Sequence, residues 1–255
     1  MKVISLGWGV QSFALAAMSA LGDLPPIYAA IHADTIHECS ATYEFAARWT
    51  PWLEAHGVKI VTVINPTGGI WPLMTRLKQT HIPAFTRRDG FSDGQLNRSC
   101  THRWKIVPMR RWIQEHRNGQ PIEQWIGIST DEFYRAKDSD VKYITLRYPL
   151  IELGMTRHDC ERYLADHGLE IPSKSSCTFC PFHDQRAWHD MKMENNRDWD
   201  AAVKVDLALR KLRPPYELFI HPARVPLSEV DLRTQEERGQ LTFWQQTCES
   251  GYCWT

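Results

Sequence analysis

The 255-residue chain carries no excess charge, because 30 Lys and Arg balance 30 Asp and Glu. A neutral molecule has no general field to attract a polyanion, so unaided, charge-driven nucleic-acid binding is excluded and only a local patch or a partner remains. The sequence has no apolar run near the roughly 20 residues that a membrane-spanning helix needs, so no membrane association is expected. Internal repeats and low-complexity tracts are also lacking. No Walker lysine follows the first glycine turn, and that turn's spacing is not the dinucleotide fingerprint. Residues Met1 to Ser5 run straight into a strand-like segment, too short and too structured for a signal peptide. The expectation is a soluble, cytoplasmic protein.

Apolar residues make up 43% and charged residues 24%, ordinary for a globular chain. Residues 2 to 6, 27 to 33, 58 to 64 and 123 to 128 read as strands. Helical patterns cover about 11 to 21, 40 to 56 and 108 to 117, with Pro108 suited to a first turn. Strands alternating with helices predict right-handed crossovers and a doubly wound, mostly parallel α/β sheet. From 64 to 99 periodicity fades into a long loop region with one short helix at 72 to 79. Beyond 150 the pattern turns helical, at 156 to 167, 184 to 193 and 197 to 212. The expected organisation is a nucleotide-binding domain over 1 to 150 and a smaller, helical, cysteine-bearing subdomain over 151 to 255, packed on it.

Ser5, Leu6, Gly7, Trp8, Gly9, Val10, Gln11 and Ser12 stand between the first strand and the first helix. Glycines there let backbone N–H groups approach a phosphate, and the helix N-terminus adds partial positive charge; a plain tight turn is the alternative. Asp34 ends the second strand, where carboxyl ends line the ligand crevice of such sheets, unless it serves only as a helix cap. Seven cysteines in a reducing compartment point to metal binding or thiol chemistry rather than disulfides. Cys177 and Cys180 form a C-x-x-C turn followed by Pro181, a metal grip compatible with zinc or with an iron–sulfur cluster. Cys39 and Cys160 fall in helical patterns and read as small buried hydrophobes. His32, His37 and His183 read as solvated or hydrogen-bonded. Arg87, Arg88, Arg98, Arg103, Lys105, Arg110 and Arg111 form a basic zone around Cys100. It is either a solvated face or a cradle for an anionic substrate, with Trp104 and Trp112 as stacking surfaces.

Several segments resemble the phosphoadenosine-phosphosulfate-reductase-like, PP-loop family. Gly9 and Ser12 match the S-G-G-x-D-S loop, whereas Gly7, Trp8 and Gln11 depart from it. The Gly-Val-Gln-Ser form resembles a phage- and bacterium-borne branch of that family. His32 to Thr35, with Glu38, Thr42 and Tyr43, is similar to its D-T-G segment, with Ile36 in place of the glycine. Gly127, Ile128, Ser129, Asp131, Glu132 and Arg135 resemble its G-x-R-x-x-E-S-x-x-R stretch. Tyr148 to Leu150, Thr156, Tyr163 and Leu164 resemble a further family segment. Arg98 to Met109 resembles the R-C-C-x-x-R-K-x-x-P-L segment of adenylylsulfate reductases, with Ser99 at the first cysteine position.

The resemblance implies an adenine nucleotide, ATP or a phosphosulfate, with Mg, bound by residues 5 and 7 to 12, Asp34, Thr35, Gly127, Asp131, Glu132 and Arg135. It also implies a 4Fe–4S cluster on Cys100, Cys177 and Cys180, with zinc as the alternative. Either Cys253 or Cys248 would supply the fourth ligand while the other carries sulfur, or the fourth iron site stays open as in some cluster-containing tRNA thiolation enzymes; Cys248, Cys253 and Arg135 are the catalytic candidates. The implied activity is that of an ATP pyrophosphatase that adenylylates an acceptor for sulfur transfer, as in DNA phosphorothioation. A phosphosulfate reductase releasing sulfite and a non-catalytic nucleotide sensor are the alternatives. Expected partners are a cysteine desulfurase and DNA-binding proteins, and a homodimer is compatible with the family.

Overall fold

The computed structural model describes residues 1–69, 81–88, 90–234 and 237–238. Their elements run β1 (Lys2–Ser5), α1 (Val10–Leu21), β2 (Ala29–Asp34), α2 (Ser40–Ala55), β3 (Ile60–Ile64), β4 (Phe85–Arg87) and β5 (Gly94–Gln95). A π-helical stretch (Thr101–Ile106) then leads into α3 (Val107–His116), followed by β6 (Ile122–Ile126), a 3₁₀ turn (Thr130–Arg135) and β7 (Ile144–Arg147). The remainder is α4 (Pro149–Glu152), α5 (Arg157–Asp166), α6 (Gln185–Glu194), α7 (Asn196–Leu209), β8 (Glu217–Phe219) and a short 3₁₀ turn (Leu227–Glu229).

The chain forms two compact units made from alternating stretches: Met1–Thr67 with His102–Ser176, and Gly68–Thr101 with Cys177–Thr255. Residues 151 to 176, expected in a C-terminal subdomain, therefore lie in the first unit. The expected helix at 72 to 79 falls outside the described residues.

In the first unit the five strands are ordered β3-β2-β1-β6-β7, and every pairing is parallel. Because side chains alternate across a strand, β1 sends Val3 to one face and Ile4 to the other. Ile4 joins a core with Phe13, Leu15, Ala30, Phe45, Leu53, Trp125 and Leu164, so α1, α2 and α5 cover that face. Val3 joins Ile31, Met109, Ile113, Ile122 and Ile144, which places α3 on the opposite face. The sheet is doubly wound, as its alternating strand and helix pattern predicts. Strand β7, which the apolar pattern did not show, completes its edge.

The second unit is less purely helical than expected. It combines α6 and α7 with a three-stranded antiparallel sheet ordered β5-β4-β8. Asp206 on α7, wholly buried, ties this unit together. It pairs with Arg210 at 2.6 Å and accepts the Ile220 and Leu227 N–H groups at 3.0 Å each. A carboxylate so enclosed is retained because its charge is matched and its lone pairs are filled. Among the described residues no helix is long and apolar enough to cross a membrane.

Candidate nucleotide crevice and cysteine cavity

Strand order in the first unit reverses at β1, since the chain goes from β1 to β2 on one side and later returns to β6 on the other. At such a switch point the loops beyond the carboxyl ends diverge and open a crevice. The two loops there are Leu6 to Gly9 and Gly127 to Ser129. A Cβ on Gly127 would stand 2.7 Å from the Ser12 backbone nitrogen, so only glycine lets this strand end approach α1 so closely.

Helix α1 begins at Gly9, with no side-chain cap and no acidic residue in its first turn. Its opening N–H groups are thus left for an external acceptor. Thr156, Asp184 and Asn195 cap α5, α6 and α7 with their own oxygens, whereas α2, which starts at Cys39, shares the uncapped, acid-free start of α1. The Ser12 hydroxyl holds the loop shape, accepting the Gly7 N–H and donating to the Gly9 carbonyl, both at 3.1 Å.

Packing turns the side chains of two expected loop residues away from the crevice. Trp8 sits at φ 59 and is 2% exposed, its ring against Phe13, His32 and Phe45. Its indole belongs to the core, and only its main chain faces the loop. Ser5 likewise directs its hydroxyl to Met109 Sδ at 3.1 Å and accepts from Gln124 at 2.7 Å. Val10 is also buried.

Gln11 bridges the two loops, reaching Ser129 Oγ and Glu132 Oε2 at 3.4 Å each. Arg135 donates to Glu132 Oε1 at 2.6 Å, so an incoming anion would have to share its guanidinium with this carboxylate. Asp131 caps α5 by accepting the Arg157 N–H at 3.1 Å.

Asp34 Oδ1 accepts the Ile36 N–H at 2.7 Å and the Tyr43 hydroxyl at 2.8 Å. A magnesium ion would therefore be met by Oδ2. Burial and the Asp34 contact push the Tyr43 phenol well above its ordinary range. Thr35 is enclosed and donates to Glu38 Oε1 at 3.1 Å. The same oxygen pairs with Lys105 Nζ at 3.0 Å, and the Glu38 side chain is wholly buried. This ion pair joins the end of β2 to the π-helical stretch, a contact between distant residues that no spacing rule shows. His32 points Nδ1 at the Leu6 carbonyl, 3.1 Å away, so that nitrogen carries the proton. Burial lowers the basicity of both His32 and His37.

Cys100, Cys177 and Cys180 all lie in the second unit and line one cavity of about 20 Å³ with Ile82, Pro83, Arg98, Phe179, Pro181 and Phe182. The Cys180 N–H donates to the Cys177 carbonyl at 3.1 Å, the tight turn expected of C-x-x-C. His183 Nε2 lies 2.9 Å from that same carbonyl, on which it must donate. The His81 carbonyl takes the Ser99 and Cys100 N–H groups at 3.1 and 2.9 Å. Three soft donors in an apolar lining suit zinc or an iron–sulfur cluster. As they stand, no three His, Cys, Asp or Glu side chains among the described residues are close enough to hold a metal ion. A bound group would have to draw the thiols inward or open the cavity around itself. Cys248 and Cys253 lie outside the described residues.

Cys160 is wholly enclosed, and burial pushes its thiol up to about 12, as a small hydrophobe requires. Cys39 departs from that expectation, since it is the half-buried N-cap of α2. In the basic zone, Arg110 pairs with Asp140 and Arg111 with Glu115, while Trp104 is fully buried and offers no stacking surface. Trp112 stacks on His116 of its own helix, ring centroids 4.1 Å apart.

Fold and crevice define the class as an open, doubly wound α/β protein with a glycine turn at its topological switch point. No protein-family model matches the chain, and a sequence search of curated proteins finds no match. Among solved structures it is similar to phosphoadenylyl-sulfate (PAPS) reductase from Candida auris in a phosphate complex. The TM-score is 0.46 at 12% identity, over 67% of this chain and 74% of that one.

Proposed function

We propose that this chain is a PP-loop ATP pyrophosphatase that adenylylates an acceptor for sulfur transfer and carries an iron–sulfur cluster on Cys100, Cys177 and Cys180. The observation that carries the nucleotide reading is the uncapped, acid-free start of α1 at the switch point, closed on its other side by Gly127. N–H groups at Gly9 and beyond would hold phosphate oxygens as charge builds on them. An acceptor oxygen would form a bond to the α-phosphorus while pyrophosphate leaves, and a sulfur nucleophile would then displace AMP with that oxygen. Gln11 and Glu132 would hold the Arg135 guanidinium at the crevice rim, and Asp34 would hold magnesium. When bound, the cluster supplies a redox-active, sulfur-coordinating centre.

The donor set supports the cluster because its three side chains are thiols of one unit around one cavity. DNA is the acceptor we favour, by resemblance to phosphorothioation systems. With zero net charge the chain has no field to hold DNA alone, so a DNA-binding partner would present it.

Anaerobically prepared protein given ATP, magnesium, a cysteine desulfurase and DNA should release pyrophosphate and label the DNA with sulfur. Sulfite release from a phosphosulfate with thioredoxin, without pyrophosphate release from ATP, would overturn this in favour of a reductase. ATP binding without turnover of either substrate would leave a nucleotide sensor.

A further inference from the structure

In the second unit, the end of the small sheet beyond Arg87 gathers cations and aromatic rings. Antiparallel pairing sets Thr86 opposite Leu218 and Arg87 opposite Glu217, so the next pair in that register is Arg88 and Tyr216. The ring contacts agree, since the Arg88 guanidinium lies 3.8 Å from the Phe91 centroid and 5.6 Å from that of Tyr216. A bridge between Arg213 and Tyr216 brings the chain at 211 to 213 to the same end. Phe91 is 57% exposed, and Lys211 and Arg213 are exposed as well.

The basic side chains here divide into two groups. Arg87 pairs with Glu217 at 2.6 Å and Arg224 with Asp93 at 3.5 Å, so their charges are already engaged. No carboxylate among the described residues takes Arg88, Lys211 or Arg213; Asp89 lies outside the described residues. A guanidinium stacked on a ring is held in place and keeps its N–H edge for an oxyanion. Cations interleaved with exposed ring faces suit a single strand of nucleic acid, whose phosphates meet the cations and whose bases stack on the rings. An acidic peptide would use the charges and leave the rings idle.

We propose that Arg88, Phe91, Lys211, Arg213 and Tyr216 form a surface of the second unit that binds unpaired nucleic acid. The inference goes beyond the proposed activity and stands without it, because no ATP, metal or sulfur enters. It supplies the local patch that a chain of zero net charge needs to meet a polyanion, and adds to a DNA-binding partner rather than replacing it.

The test uses the full chain without nucleotide and a fluorescein-labelled oligothymidylate, read by fluorescence anisotropy over a range of salt. Phe91→Leu should weaken binding roughly fivefold, the lower end for a lost stacked base. Arg88→Gln should weaken it about as much and reduce the salt slope by about 0.7, the share of one phosphate contact on a single strand. Arg88→Lys should keep the slope and lose part of the affinity, because lysine is a point charge without the planar stack. Lys211→Gln with Arg213→Gln should reduce the slope by about 1.4. Arg186→Gln, at an exposed arginine of α6, should bind like the wild type. Unchanged melting temperatures will show that each variant is folded.

An anisotropy that does not change with wild type at low salt overturns the surface. Equal losses in Arg186→Gln and Arg88→Gln also overturn it, because they mark bulk charge. Undiminished binding in Phe91→Leu, with the oligonucleotide displaced by polyglutamate at equal charge, overturns it in favour of an acidic protein partner. Each outcome is read without ATP or iron and so is separate from the fate of the pyrophosphatase reading.

Discussion

Two glycines of the crevice illustrate different constraints on single residues. Gly9 has an ordinary φ of −91°, and the nearest atom to an added Cβ is 3.9 Å away on Ser175. Gly9→Ala should fold normally, whereas Gly9→Leu should weaken ATP affinity in equilibrium binding with little change in melting temperature. Gly127→Ala, with a backbone nitrogen 2.7 Å from the new Cβ, must displace the start of α1. We expect it to lose about 1–3 kcal/mol of stability in urea unfolding, the usual cost of overpacking. Trp8 couples an unfavourable left-handed backbone to a large buried ring. Trp8→Ala should cost about 3–5 kcal/mol through the cavity it leaves.

His221 makes the clearest pH prediction. Burial lowers its pKa from 6.5 to about 4, and its Nδ1 accepts the Ala223 N–H at 3.1 Å, which requires that nitrogen unprotonated. The unfolded chain therefore binds this proton first as pH falls. The neutral side chain's stabilisation is present above pH 6.5 and is lost as pH falls toward 4, by up to roughly 3 kcal/mol. Urea midpoints measured across that window should fall with acidity. In His221→Gln the dependence should flatten.

Among the elements, α5 shows how local sequence specifies a helix start. Thr156 accepts the Asp159 N–H at 3.1 Å and Asp159 Oδ2 accepts the Thr156 N–H at 2.9 Å, a reciprocal capping box. Thr156→Ala should cost about 1 kcal/mol, read as a lower urea midpoint. Helix α1 ends at Gly22, φ 90°, which supplies the left-handed residue its carbonyls need. Its N-terminus has no comparable device, and the energetic opportunity left there is what the proposed phosphate uses. The π-helical turn from Thr101 to Ile106 brings Lys105 to the buried Glu38 carboxylate. Such turns re-aim side chains without breaking the helix.

At the scale of the whole molecule, ligand binding should appear as added stability. If ATP binds only the folded chain, saturating it at roughly 100 times Kd should add about 3 kcal/mol and raise the melting temperature in proportion to the logarithm of ATP concentration. An absent shift with magnesium and ATP would count against the crevice. For the cysteine cavity, Cys177→Ser should abolish visible absorption and most iron content in anaerobic protein, while Cys160→Ser, in a sealed apolar site, should retain the colour.

The alternation of strands and helices, the positions of α1, α2 and α3, the glycine turn and the C-x-x-C turn were all legible in the sequence, because each depends on neighbours within one or two turns of chain. Long-range contacts decided the rest. Whether Trp8 faced a ligand or the core depended on Phe13 of α1 and Phe45 of α2 on the same face of the sheet, and the need for glycine at 127 depended on its approach to Ser12. The pairing of Glu38 with Lys105 and the seat of Arg98 on Phe182 likewise join residues far apart in sequence. Periodicities and the chemistry on hand are properties of the chain order alone. Which of those groups share a cavity follows from the folded arrangement, because side-chain proximity across elements is set by packing rather than by spacing along the chain.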